Sequence, residues 1–328
     1  MTELSEVTDT TAAKDISWFR KFASIAGILA LALVIMGMIV RLTFRDRHLL
    51  TGLIYYVASP VSMVLLLLFS AVCLRRESRI KRRVAIGLIP VAACWAFNAQ
   101  WIENEAPEQS APKPSHRVMF WNVCEGKLGW SGVFDTIRKQ DPDVIALAEA
   151  EGLKVHTDDF FERHFPGYQR IYLPRRLLLL SRLPIVSRNR LRWVRGAVHE
   201  SVVIESRQGP VTVVFSDVAS AIWMHRKAPV ESLVEATGKL AGPVIVVGDL
   251  NTPVDSLFFD EFRHTYTNAF EGSGNGLHTT WPMPLPVIAI DHMWRNNWIN
   301  FANARILWTL ASDHRPLVAE FSAKTVRR

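Results

Sequence analysis

Cysteine is scarce in this chain of 328 residues, and two of its three cysteines, Cys73 and Cys94, lie inside long apolar runs. Cys124 alone falls in the more polar remainder, so neither a disulfide framework nor a cysteine-based zinc site can be built. Internal repeats and low-complexity tracts are missing, which excludes a repeat architecture. Acidic residues are missing from Phe165 to His199, where Arg170, Arg175, Arg176, Arg182, Arg188, Arg190, Arg192 and Arg195 fall. Two readings fit that stretch: a solvated strand edge guarded by charge, or an anionic rim for phosphates or lipid headgroups. A strong surplus of basic charge is also missing where it would matter. The whole chain carries +7, but residues 116–328 hold 25 basic and 22 acidic residues, a net of +3. That is a weak electrostatic footprint for a duplex-binding surface.

What the chain has in excess is apolar sequence near its start. Mean hydropathy is +0.12 and 49% of residues are hydrophobic, with three uncharged runs at Phe22–Val40, Leu49–Leu74 and Val84–Ile102. Each is long enough to cross a hydrocarbon core of about 30 Å as a helix. The third contains Pro90, Asn98 and Gln100. No small-residue cleavage site follows the first run before Arg41, so it reads as an anchor rather than a removed signal peptide. The expected organisation is a cytoplasmic tail over 1–21, an anchor of three transmembrane helices over 22–102, a Pro-rich linker over 103–116 and a folded domain over 117–328. Charge sets the orientation. The segment RRESRIKRR carries Arg75, Arg76, Arg79, Lys81, Arg82 and Arg83 against Glu77, and Lys14, Arg20 and Lys21 precede the first run. Only Arg41, Arg45 and Arg47 lie between the first two runs. By the positive-inside rule the N-terminus is cytoplasmic and, after three crossings, the folded domain is outside. If the third run does not cross, that orientation reverses.

The folded part alternates strand-like runs (RVMFWNV, DVIALAEA, RLLLLSRLPIVS, SVVIES, PVTVVFSD, VIVVGD, VIAIDHMW, PLVAEF) with the amphipathic stretches WSGVFDTIRKQ and APVESLVEATGKL. Strands that follow one another directly, with few helices between, predict packed sheets flanked by helices rather than a strict βαβ wind. Polar residues collect at the strand ends: Asn122, Glu149, Asp217, Asp249, Asn251, Asp291, His292, Asp313 and His314. Singly, each is a turn residue. Together they are the acids, amides and histidines that a hard, oxygen-liganded cation and a phosphate ester require.

The order of FWNV, PDVIALAEA, LLLLSRLPI, VIVVGDLN, IDHMW and SDHRPL, from about Val118 to Phe321, resembles the endonuclease/exonuclease/phosphatase superfamily. TTWP before IDHMW is similar to its membrane-anchored bacterial branch. The resemblance implies a four-layer α/β sandwich, two packed β-sheets flanked by helices, preceded by the α-helical transmembrane anchor. It implies Mg²⁺, with Mn²⁺ as a possible substitute, held by Glu149 and Asp313. Asp249 would orient or deprotonate the attacking water, Asn251 would hydrogen-bond the phosphate or that water, and Asn122 would organise the metal–phosphate site. Asp291 would pair with His314 and favour its charged form. His292 receives no role beyond a structural one.

One position departs from the family pattern. The superfamily usually has Thr-His where this chain reads FSDVAS, which puts Asp217 in the histidine's place. An ionised carboxylate cannot donate the hydrogen bond a histidine gives a phosphate. Asp217 is therefore expected to join the metal ligands. His225, eight residues on, is the nearest histidine that would reach back, though MHRKAP reads as a loop entering a helix. Two functions follow from different classes: a membrane-anchored phosphoric ester hydrolase acting on nucleic acid or phospholipid, or a catalytically weak or inactive relative serving as a membrane-tethered binding module. The partners implied are the phosphate ester and, through the N-terminal helices, the lipid bilayer; no protein partner is implied.

Overall fold

The computed structural model describes residues 3–74, 79–104 and 115–324, with side chains from residue 18 onward. Arg75, Arg76 and Glu77, the side chain of Lys14 and most of the linker, 105–114, lie outside the described residues. The chain divides into two compact units, Met1–Ala99 and Gln100–Arg328.

The first unit is helical: α1 (Glu3–Leu42), α2 (Leu49–Val57), α3 (Pro60–Cys73) and α4 (Arg79–Gln100). Among the described residues, one helix is long and apolar enough by itself to cross a membrane, from Trp18 to Leu42. The second apolar run is not one straight helix, because α2 and α3 are bent by 68°. Pro60 has no N–H to donate and its ring clashes with the carbonyl four residues back, so it starts a helix that Ser59 caps. Arg41 donates to the carbonyls this break frees, at Ala58 (2.7 Å) and Tyr55 (2.9 Å). The third run ends before the expected Ile102. Helix α4 ends at Gln100, and Trp101 and Ile102, which belong to the second unit, pair there with Leu277 and Gly276.

The second unit holds two six-stranded sheets. One contains β1 (His116–Asn122), β2 (Val144–Ala148), β3 (Gln169–Leu173), β4 (Leu177–Ser181), β11 (Ile299–Ile306) and β12 (Leu317–Ala323), in the order β11-β12-β1-β2-β4-β3. The other contains β5 (Ile185–Val194), β6 (Ala197–Ser206), β7 (Gly209–Val218), β8 (Val244–Asp249), β9 (Tyr266–Asn268) and β10 (Asp291–Asn296), in the order β9-β10-β8-β7-β6-β5. The central strands read as unbroken apolar runs because both their faces are covered. Alternate residues such as Val118, Phe120, Phe215 and Val247 meet between the sheets. Their neighbours Met119 and Trp121 pack on Val133, Phe134 and Ile137 of α5 (Trp130–Gln140). On the far side Val246 and Trp294 share a core with Val230 and Leu233 of α6 (Lys227–Thr237). Helix, sheet, sheet and helix make the four-layer sandwich.

Candidate active site

Strand register brings the polar strand ends to one edge of the sandwich. β1 and β2 run parallel with Asn122 beside Ala148, and β8 and β10 run antiparallel with Asp249 opposite Asp291. β8 passes β7 so closely that a Cβ on Gly248 would sit 1.8 Å from the Ser216 carbonyl oxygen, a spacing only glycine allows. The next turn places Asn251 at φ +44°, a left-handed conformation that asparagine tolerates. Asp249 Oδ1 accepts from the Asn251 backbone N–H at 3.0 Å, and Asn251 Nδ2 donates to the Val218 carbonyl at 2.8 Å.

Asp249, Asp291, His314 and Asn122 are buried together. Asn122 Nδ2 donates to Asp249 Oδ2 at 3.0 Å. His314 Nδ1 donates to both oxygens of Asp291, at 3.0 and 2.8 Å, leaving Nε2 as the nitrogen that Asp291 does not engage. The loop carrying His314 is fixed on β1: Ser312 Oγ donates to the Asn122 carbonyl at 2.8 Å, and Trp121 Nε1 donates to the His314 carbonyl at 2.9 Å. Burial opposes charge on His314, but the carboxylate of Asp291, with Asp249 and Asp313 behind it, outweighs burial and raises its pKa to about 10. Burial and the Asp291 charge raise Asp249 to about 7, against the pull of His314 and the Asn122 hydrogen bond. At neutral pH the site therefore holds an imidazolium beside a carboxyl poised to exchange a proton.

Glu149 and Asp313 both lie near Cys124. Glu149 ends β2 at φ +51°, fixed by its carbonyl, which accepts from the Glu125 N–H at 2.9 Å, while its neighbour Ala150 donates to the Arg176 carbonyl at 2.8 Å. Asp313 accepts from Trp281 Nε1 at 3.2 Å. Both carboxylates act on Cys124, whose thiol is pushed up to about 11, first by burial and then by its hydrogen bond to Asp313. Burial works against the Asp313 charge, yet His314 and the bonds from Trp281 and Cys124 hold its pKa below the ordinary value.

Glu149 and Asp313 carry the kind of oxygen donor that a hard divalent cation takes. Glu149 and Asp313 are half-buried carboxylates, and the Glu149 side chain has no ion-pair partner among the described residues. Among the described residues a different trio, Asp249, Asp291 and His314, brings ligand atoms within 4.8 Å of one another. That trio suits a cation less well, since both Asp291 oxygens are spent on an imidazolium whose charge repels one.

Asp217 stands apart from the sequence expectation. Its carboxylate meets a guanidinium, with Arg175 Nε 2.5 Å from Oδ2. Burial raises its pKa, Arg175 resists the rise, and the Glu149 charge adds to it, so Asp217 does face the site. Arg175 and Arg176 occupy the turn between β3 and β4 at φ +56° and +62°, and Arg176 pairs with Glu125. Sequence reasoning places both only in an undivided basic stretch; two arginines after Pro174 in a tight turn are the signal that separates them. His225 packs its ring on Phe258 at 5.2 Å between centroids. His292 is buried between the Thr252 carbonyl and Trp294 Nε1, and burial lowers its pKa to about 3, a neutral structural histidine.

A two-sheet sandwich with an Asp–His pair and a row of oxygen donors along one edge defines a phosphoric ester hydrolase fold. The chain belongs to the endonuclease/exonuclease/phosphatase family, whose sequence model matches residues 119–314. Its fold is similar to that of the human nocturnin catalytic domain with bound sulfate (19% identity, 68% of this chain and 100% of that one, TM-score 0.52). It is also similar to a mannosyl-6-phosphatase from Bacteroides thetaiotaomicron (15% identity, 63% and 100%, TM-score 0.52). A third similar structure is a humanized D. rerio TDP2 (12% identity, 63% and 99%, TM-score 0.53). No curated protein matches the chain in sequence.

Proposed function

We propose that this chain is a membrane-anchored, divalent-metal-dependent phosphoric ester hydrolase. The observation that carries the reading is the His314–Asp291 pair at 2.8 Å beside a buried Asp249. Glu149 and Asp313 would hold Mg²⁺ or Mn²⁺, which when bound neutralises phosphate charge and stabilises the leaving oxygen. Asp249 orients the attacking water and takes its proton. Asn122 holds Asp249 in place, and Asn251, one amide proton of which is tied to Val218, offers the rest of its amide to water or phosphate. His314, kept charged by Asp291, donates from Nε2 to the negative charge that develops on phosphoryl oxygen. The test is a hydrolysis screen of the full chain against DNA, RNA, phospholipids and phosphomonoesters, with and without Mg²⁺. Hydrolysis of one class in Mg²⁺ alone is the expected result; no hydrolysis of any class favours the binding module.

In this reading Asp217 is a positioning residue for Arg175 rather than a metal ligand, since a guanidinium occupies the carboxylate edge a cation would use. Arg175 then supplies the phosphate contact a histidine makes elsewhere in the family. Asp217→Asn and Arg175→Ala are expected to raise KM together and by similar factors, with the Mg²⁺ requirement unchanged. If Asp217→Asn instead needs much more metal while Arg175→Ala behaves as the parent, the ligand role holds.

The domain organisation of the sequence expectation, tail, three-span anchor, linker and catalytic domain, is part of the proposal, with the catalytic domain outside the cytoplasm. The basic first turn of α4, with Arg79, Lys81, Arg82 and Arg83, supports that orientation by the positive-inside rule. A reporter active only outside the cytoplasm, fused after Arg328, is expected to be active. Signal from a cytoplasm-only reporter at the same point reverses the topology.

A further inference from the structure

Three of the loops at the site's end are uncharged over seven residues or more and expose large apolar side chains. β7 and β8 run parallel, Asp291 at the start of β10 lies opposite Asp249, and Leu317 at the start of β12 lies opposite Phe120. The segments after β1 and β7 and before β10 and β12 therefore all leave the sheets at the site's end. Three of them carry no charge over VASAIWM (Val218–Met224), WPMPLPVIAI (Trp281–Ile290) and ILWTLAS (Ile306–Ser312). They expose Trp223 (76%), Ile222 (67%), Leu310 (64%) and Trp308 (59%), with Leu128 (60%) in the loop after β1. Most of the large hydrophobic side chains exposed by the second unit lie at this end. The loops are held to the site rather than free of it. Arg226 ties the Ala221 and Asn251 carbonyls together, at 3.1 and 2.9 Å, and the Met283 N–H donates to the Asp313 carbonyl at 2.8 Å.

Surface loops are ordinarily polar, and contiguous exposed apolar side chains mark an interaction surface. Lys127, next to Leu128 in the loop after β1, and Arg195, in the turn between β5 and β6 at the same end, are exposed cations. The turn bearing Arg195 lies on the apolar loop, because a Cβ on Gly196 would meet Met224 Sδ at 2.0 Å. Tryptophan, aliphatic tips and basic residues in one surface are what a bilayer interface with anionic headgroups accepts. A nucleic-acid strand asks instead for a basic groove with stacking rings; Trp223 and Trp308 offer rings, but the aliphatic Ile222, Leu310 and Leu128 suit acyl chains and not bases. The same chain carries the membrane-length segment Trp18–Leu42, which keeps the domain at high effective concentration over lipid.

We propose that these loops dock on an anionic bilayer and that the substrate is the headgroup phosphate ester of a phospholipid whose acyl chains stay in that bilayer. The proposal rests on the hydrolase reading. Water forms the new P–O bond and gives its proton to Asp249. One ester P–O bond breaks with its electron pair on the departing oxygen, which takes up a proton, so no oxidant or further reactant enters.

The test uses the full chain in vesicles of phosphatidylcholine and phosphatidylglycerol. A fluorophore at Leu310→Cys, with Cys73, Cys94 and Cys124 replaced by serine, is expected to be quenched by doxyl-labelled lipid and shielded from aqueous iodide. A label open to iodide overturns the docking. With native cysteines, the triple variant Ile222→Ser, Trp223→Ser, Leu310→Ser is expected to lose about 10-fold on vesicle phospholipid, while its rate on bis(p-nitrophenyl) phosphate stays within about twofold. Equal losses on both substrates, or cleavage of nucleic acid but of no phospholipid, overturn the substrate assignment. A shielded label with no hydrolysis of anything removes the hydrolase reading and leaves the docking standing.

Discussion

Replacing His314 with alanine is expected to lower kcat by about 10³-fold, the scale for losing a positioned charged donor at a developing oxyanion. His314 is buried and touches both oxygens of Asp291, so its charge is held at a fixed point in the site. The pH profile follows from the same groups. Asp249 must be ionised to take a proton, and burial beside Asp291 raises it to about 7. His314 must stay protonated, and Asp291 with its neighbours keeps it so up to about 10. Turnover should therefore rise with pH through about 7 and fall through about 10, with a bound divalent cation moving the acid limb lower. In Asp291→Asn the carboxylate that raises His314 is gone, so the alkaline limb should move to lower pH. An unchanged alkaline limb in that variant, or parental kcat in His314→Ala, would remove the imidazolium from the mechanism.

The second large effect belongs to Glu149. Glu149→Gln keeps the side chain's shape and removes the charge that holds a hard cation. The Mg²⁺ concentration for half-maximal activity is expected to rise by at least about 100-fold, beyond the range seen for residues that merely support a ligand. Asp313→Asn should show a smaller rise, because Asp313 also accepts from Trp281. Wild-type turnover in Glu149→Gln at limiting Mg²⁺ would defeat the assignment.

Much of the sandwich is legible in the sequence, for a physical reason. Runs such as VIALA and VIVVG are apolar at every position because both faces are covered, one by the other sheet and one by a helix. The strand-end acids are legible for the opposite reason: a carboxylate or amide directly after an apolar run has to be paired. What escapes the sequence depends on partners far along the chain. Asp217 reads as an unpaired acid because Arg175, 42 positions earlier, meets it only once the β3–β4 turn folds beside β7. The bend between α2 and α3 is signalled by Pro60, yet hydropathy alone runs straight through it. Trp101 and Ile102 look like the end of a span until Gly276 and Leu277 offer them a strand to pair with.

The measurement that bears most directly on the central claim is hydrolysis of bis(p-nitrophenyl) phosphate by the full chain in Mg²⁺, in excess chelator, and by Asp249→Asn in Mg²⁺. The account predicts turnover by the parent in Mg²⁺, none above background in chelator, and a loss of about 10³-fold or more in Asp249→Asn, which keeps the side chain's size and one of the two hydrogen bonds it accepts but cannot take a proton. Turnover that survives the chelator, or an Asp249→Asn rate equal to the parent's, would contradict it.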